Sequence, residues 1–149
     1  MIRSIFLAAM LLLVGLALHA QILKPVKWSY AAKRTSPTEA TIFLKATIDS
    51  GWHVYSQHVK PGGPIPTSFK FDKSTDYDLV GKTTEPKPIS RMEKVFSMNV
   101  SYFERSVIFQ QKVKLKNGAA TVTGKLGYMT CNDKECLPPD DVKFSIPVN

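Results

Sequence analysis

The stretch Ala40-Thr41-Ile42-Phe43-Leu44-Lys45-Ala46-Thr47-Ile48 carries Ala40, Ile42, Leu44, Ala46 and Ile48 on one parity, opposite Thr41, Phe43, Lys45 and Thr47. Successive side chains of an extended strand point to opposite faces, so this period of two describes a strand with one face in a core. The pattern recurs on both sides of it. Val26, Trp28 and Tyr30 alternate with Lys27 and Ser29. Val107, Phe109 and Val113 share a parity within Ser106 to Lys114. Ala120, Val122, Leu126 and Tyr128 oppose Thr121, Thr123 and Lys125, and Val142, Phe144, Ile146 and Val148 close the series. Shorter strands are expected at Trp52–Ser56, Ser68–Phe71 and Tyr77–Val80. No 3.6-residue apolar stripe follows Gln21.

The breaks between these runs are turn chemistry. Asp49-Ser50-Gly51 and Lys116-Asn117-Gly118 lie between alternating segments, the second as a hairpin signal. Pro61-Gly62-Gly63-Pro64-Ile65-Pro66 and Glu85-Pro86-Lys87-Pro88 cannot continue a hydrogen-bonded ladder and are expected to be loops. Seven or eight short strands, with turns every 8–12 residues or so, predict an all-β fold, an immunoglobulin-like antiparallel sandwich.

The chain has 149 residues and a formal charge of +8. Its first twenty residues read as a cleavable signal peptide: Met1-Ile2-Arg3 is the basic start, Ile5 to Leu18 the apolar stretch, and Ala20 the small residue at the cleavage point. Residues 21–149 then form one domain, large enough for its own core. Its lysines are scattered and form no basic tract, which argues against nucleic acid as a partner. Serine-nucleophile, paired-carboxylate, phosphate-loop and zinc signatures are all missing from the sequence.

Chemistry is expected at the only two cysteines, Cys131 and Cys136, in Gly127-Tyr128-Met129-Thr130-Cys131-Asn132-Asp133-Lys134-Glu135-Cys136-Leu137-Pro138-Pro139. Two cysteines in an exported chain argue for one disulfide. Three readings stand side by side. A staple across so short a loop would contribute only about 2 kcal/mol in the chain-entropy model. A bridge on a surface turn offers its sulfurs to a partner thiolate, which suits exchange. Soft ligands suit Cu(I), and His53, His58, Met92, Met98 and Met129 are available, but no Met-x-x-Met or His-x-His cluster is present. No metal or other cofactor is expected. Asp133 and Glu135 would raise the pKa of a neighbouring thiol, and Lys134 opposes them.

The chain resembles the N-terminal periplasmic domain of the thiol:disulfide interchange protein DsbD, in a stand-alone form. Ile48-Asp49-Ser50-Gly51-Trp52-His53-Val54-Tyr55-Ser56 is similar to that family's "I-x-x-G-aromatic-x-x-Y" strand, and Ser101-Tyr102-Phe103-Glu104-Arg105 to the stretch before its central strand. Cys131 to Pro139 is similar to its "C-x(4–5)-C-x-P-P" signature, the most specific of the three.

The resemblance implies an immunoglobulin-like domain in the periplasm that relays electrons from a thioredoxin-like donor to periplasmic acceptors. Cys131 and Cys136 would be the exchanging pair, with Cys136 forming the mixed disulfide. It also implies a flexible cap loop, here Met92 to Val100 with Phe96 as the shield, and a pocket that includes His53 and Tyr55. The implied partners are thioredoxin-fold proteins, engaged by transient mixed disulfides, and a separate membrane electron carrier, with the domain itself a monomer. A non-enzymatic immunoglobulin-like binding module with a structural disulfide is the alternative.

Overall fold

In a computed structural model, residues 23–149 are described, and the signal-peptide reading of residues 1–20 lies outside them. Eleven strands follow one another: β1 Val26–Ser36, β2 Glu39–Ile48, β3 His53–Tyr55, β4 Ser68–Phe71, β5 Tyr77–Thr84, β6 Ile89–Glu93, β7 Met98–Phe103, β8 Ser106–Leu115, β9 Ala120–Tyr128, β10 Thr130–Cys131 and β11 Asp140–Val148. All pairings between them are antiparallel.

The sheets are β1-β2-β8-β5, β11-β9-β4 and a smaller β10-β3-β7-β6. The first two form the sandwich, as the alternation requires. The inward parity of β2, with Ile42, Leu44 and Ala46, is fully buried. Aromatic rings join the two sheets: Phe109 on β8 meets Phe69 on β4 at 4.9 Å, and Trp28 on β1 meets Tyr128 on β9 at 5.5 Å. The fold is therefore an immunoglobulin-like antiparallel sandwich, in agreement with the sequence pattern.

Gly124 marks the tightest approach inside the sandwich. A Cβ there would stand 2.6 Å from the Phe144 ring and 3.0 Å from the Phe71 Cα, and closer still to the Lys70 carbonyl oxygen. Two of those neighbours are backbone and cannot swing away. Gly124→Ala is expected to destabilise the domain by roughly 1–3 kcal/mol, read as a lowered midpoint in thermal or urea unfolding.

Two features depart from the sequence expectations. Position 111 lies on the buried parity of β8, between Phe109 and Val113, yet it is a glutamine. Gln111 is buried because β5 bulges between Val80 and Thr84 and exposes its backbone there. The Gln111 amide fills the gap, with Nε2 donating to the Val80 carbonyl at 3.2 Å and Oε1 accepting from Thr83 Oγ1 at 2.8 Å. A buried amide of this kind is stable only when so partnered.

The second departure concerns Met92 to Val100, expected to be a loop. Met92 and Glu93 end β6, Met98 to Val100 begin β7, and only residues 94–97 form the turn. The exposed alternation of β6 carries little apolar signal, since four of its five residues are exposed. The pairing of Arg91 with Val100 and of Glu93 with Met98 fixes the hairpin.

The small sheet sits where three strands leave the sandwich. β2 passes to β3 through the Asp49–Gly51 turn, with Gly51 at φ 82°. β7 passes to β8 across Glu104-Arg105, where Arg105 takes φ 63° and its carbonyl accepts from the Ile48 amide at 2.7 Å. β9 passes to β10 across Met129. One face of this sheet, with Val54 and Phe103, closes the end of the main core, and the other carries a separate cluster.

Candidate functional site

That second cluster surrounds the cysteine pair. β10 lies against β3 with Cys131 directly opposite His53 and Thr130 opposite Val54. Opposed residues of an antiparallel pair share a face, so Cys131 and His53 project to the same side. Tyr55 and Tyr102 face each other on the next pair, β3 with β7. Buried Tyr55, Val100, Tyr102 and Cys131 form the cluster, and Val59, Phe96, Met98 and Met129 pack onto it. Phe96 reaches it from the β6–β7 turn, where its amide donates to the Glu93 carbonyl at 3.2 Å.

Cys131 and Cys136 are joined as a disulfide, with Cα atoms 4.0 Å apart. The two sulfurs live in different surroundings: Cys131 is 2% exposed, whereas Cys136 belongs to an exposed run from Asp133 to Cys136. The loop between them is held without the sulfur bond. Asn132 Oδ1 accepts from the Lys134 and Glu135 amides at 2.8 Å each, and the Asn132 amide donates to the Glu135 carbonyl at 2.9 Å. Leu137 then donates back to the Thr130 carbonyl at 3.0 Å, and Pro138-Pro139 leads into β11. An Asn that closes its own turn is a readable signal, and sequence reasoning passed over it.

Polar side chains share the face that carries Cys131. His53 Nε2 lies 3.1 Å from Tyr55 Oη, and the His53 ring stacks at 4.7 Å from the Tyr102 ring. Thr130 Oγ1 donates to the His53 carbonyl at 2.8 Å, tying β10 to β3. Burial pushes the Tyr55 phenol up to about 12, with Glu93 adding to the effect. Tyr102 is also raised by burial, against the pull of Arg91, which lies 5.8 Å from its ring centre. Burial lowers His53 below its ordinary range, while Glu93, Glu104 and Asp133 pull it back up. Both tyrosines therefore stay protonated near neutrality and His53 is largely neutral.

The residues expected from sequence thus lie together: Cys131, Cys136, His53, Tyr55 and Phe96 share one end of the domain. Tyr102 was legible only within Ser101–Arg105, the stretch that resembles the one before the family's central strand, and nothing in its spacing marked it as a neighbour of the disulfide. His58 lies on an exposed-to-intermediate loop, and no group of three or more His, Cys, Asp or Glu able to hold a metal occurs among the described residues.

Residues 19–147 match the family described as thiol:disulfide interchange protein DsbD, N-terminal. Among solved structures the chain is similar to the N-terminal periplasmic domain of ScsB from Proteus mirabilis, with 16% identity and a TM-score of 0.61. That match covers 88% of this chain and 49% of the other, so the chain spans about half the length of that relative. It is also similar to the reduced DsbD N-terminal domain of Neisseria meningitidis, with 16% identity, a TM-score of 0.53, and coverage of 86% and 91%. A third similarity is to a structure of the complex between the DsbD and PilB N-terminal domains from Neisseria meningitidis. It has 14% identity, a TM-score of 0.53, and coverage of 84% and 87%. No curated protein matches the chain.

Proposed function

Because the chain belongs to the family of DsbD N-terminal domains, we propose that it is a periplasmic thiol–disulfide exchange domain working through a reversible Cys131–Cys136 disulfide. The observation that carries this reading is the asymmetry of the pair, one sulfur exposed and the other buried under an aromatic cluster. A donor thiolate attacks Cys136 Sγ, the bond to Cys131 breaks, and the electron pair leaves on Cys131 Sγ. A second donor thiol then resolves the mixed disulfide and leaves the domain as a dithiol. In the forward direction, the Cys136 thiolate attacks an acceptor disulfide and Cys131 displaces the reduced acceptor.

The staple reading is weakened by the loop itself. Asn132 already closes the turn through hydrogen bonds, and a bridge of sequence separation 5 adds only about 2 kcal/mol of chain-entropy stabilisation. Thioredoxin-fold proteins are the natural partners, since they present a reactive thiol or disulfide on a convex surface that an exposed Cys136 can meet. A DsbD N-terminal domain is known in complex with the PilB N-terminal domain, a precedent for docking of a partner protein on a domain of this family. Phe96 would act as the shield, its ring packed on the cluster until a partner displaces the β6–β7 turn.

Trapping tests the proposal. A Cys131→Ala variant leaves Cys136 without its resolving thiol. Incubated with a thioredoxin-fold protein that lacks its own resolving cysteine and whose remaining cysteine carries a thionitrobenzoate leaving group, it is expected to yield a stoichiometric mixed disulfide through Cys136, with release of thionitrobenzoate, visible by mass spectrometry and lost on adding dithiothreitol. If only a trace forms while small disulfides react freely, thioredoxin-fold proteins are not the partners.

A further inference from the structure

We propose that His53 is the proton acceptor for the buried Cys131 thiol when that thiol resolves a mixed disulfide on Cys136. The inference rests on the exchange function proposed above and assigns a role within it. Cys131 must attack as a thiolate, yet it is 2% exposed and packed among apolar and aromatic side chains. The register places His53 opposite it, where paired Cβ atoms stand about 4.5–5.5 Å apart. His53 is itself buried, with Nε2 held 3.1 Å from Tyr55 Oη and its ring against Tyr102.

The step balances. The Cys131 thiol gives its proton to His53, the Cys131 sulfur displaces the partner sulfur from Cys136, and the Cys131–Cys136 bond forms. The partner leaves as a thiolate carrying the electron pair. His53, now imidazolium, returns its proton to solvent. The charged groups around His53 act on it in both directions. Glu93 on β6, Glu104 beyond β7 and Asp133 in the cysteine loop favour the imidazolium, and Arg91 on β6 opposes it. Tyr55 and Tyr102 remain neutral, as their raised values require, and with Nε2–H donating to Tyr55 Oη it is Nδ1 that takes the proton. Burial keeps His53 unprotonated beforehand, which is the state a base needs.

Glutathione disulfide serves as the probe. Reduced protein is mixed with it, quenched with acid at intervals, and the Cys136–glutathione adduct followed by mass spectrometry. In the wild type, decay of the adduct should already be level at about pH 6.5, the ordinary imidazole value, because burial holds His53 below it. His53→Gln should slow that decay roughly 30-fold at about pH 7, where about one in 30 thiols with an ordinary value near 8.5 is ionised. Its rate should then climb tenfold per pH unit towards the ordinary thiol range near pH 8.5 and rejoin the wild type there. A His53→Gln variant with the wild-type rate and pH profile overturns the assignment. If the variant does not fold, the wild-type profile decides alone: a continuous tenfold rise per pH unit from 6 to 8 or so means no base takes part. A wild type that forms no adduct and stays reduced overturns the exchange function itself, an outcome distinct from normal decay in the variant.

Discussion

A Cys136→Ser variant is expected to lose disulfide exchange down to the uncatalysed background, in both directions of electron flow. Cys136 is the exposed sulfur of the pair, and Cys131 lies beneath Phe96, Met98 and Met129. With Cys136 gone, the remaining thiol sits where a partner sulfur cannot reach it in line, so it cannot substitute. The effect on the fold should be slight. Asn132 holds the loop through hydrogen bonds that do not involve sulfur, and the disulfide contributes only about 2 kcal/mol. Turnover with a thioredoxin-fold substrate, alongside thermal unfolding, separates the two. The result against this account is residual exchange within tenfold of the wild type, which would make Cys131 the attacked sulfur.

The largest loss of stability is expected from Phe109→Ala. Phe109 is fully buried at the centre of the sandwich and its ring meets three others: Trp28 at 6.1 Å, Phe69 at 4.9 Å and Phe103 at 5.8 Å. Those partners belong to β1, β4 and β7, so one side chain couples both sandwich sheets to the sheet that carries the site. Truncation of a buried Phe removes its transfer free energy and leaves a cavity, together about 3–5 kcal/mol. A domain of this size has about 5–15 kcal/mol in total. The midpoint of thermal unfolding should fall by roughly 10–20 °C. Because Phe103 lies on the small sheet, reactivity of the disulfide towards small thiols should rise with the loss of packing. A change below about 1 kcal/mol would mean that the sandwich does not depend on this contact.

The main sandwich was legible because its strands bury one face and wet the other. The alternations at residues 40–48 and 120–128 match β2 and β9 closely. The small sheet was legible only in part. β6 has no apolar face of its own, since its ordering comes from β7 alongside it, and pairing between distant strands leaves no local trace. Gln111 broke the pattern of β8 for a reason located in β5, a bulge no local reading could reveal.

At the site the same division holds. Cys131 and Cys136 stood out by residue type and spacing, and the resemblance supplied His53, Tyr55 and Phe96. The different burial of the two cysteines was not legible, because it follows from how β10 lies against β3 and how the β6–β7 turn folds over it. Nor was the position of Tyr102, which depends on the register of β7 with β3.

Equilibration of the domain in glutathione redox buffers, with the dithiol and disulfide forms resolved by mass spectrometry after acid quenching, tests the central claim most directly. A relay predicts a Cys131–Cys136 potential between about −180 and −270 mV, within the range of thioredoxin-fold exchangers. A disulfide that stays oxidised throughout, with a potential below about −300 mV, would contradict it and identify the bridge as structural.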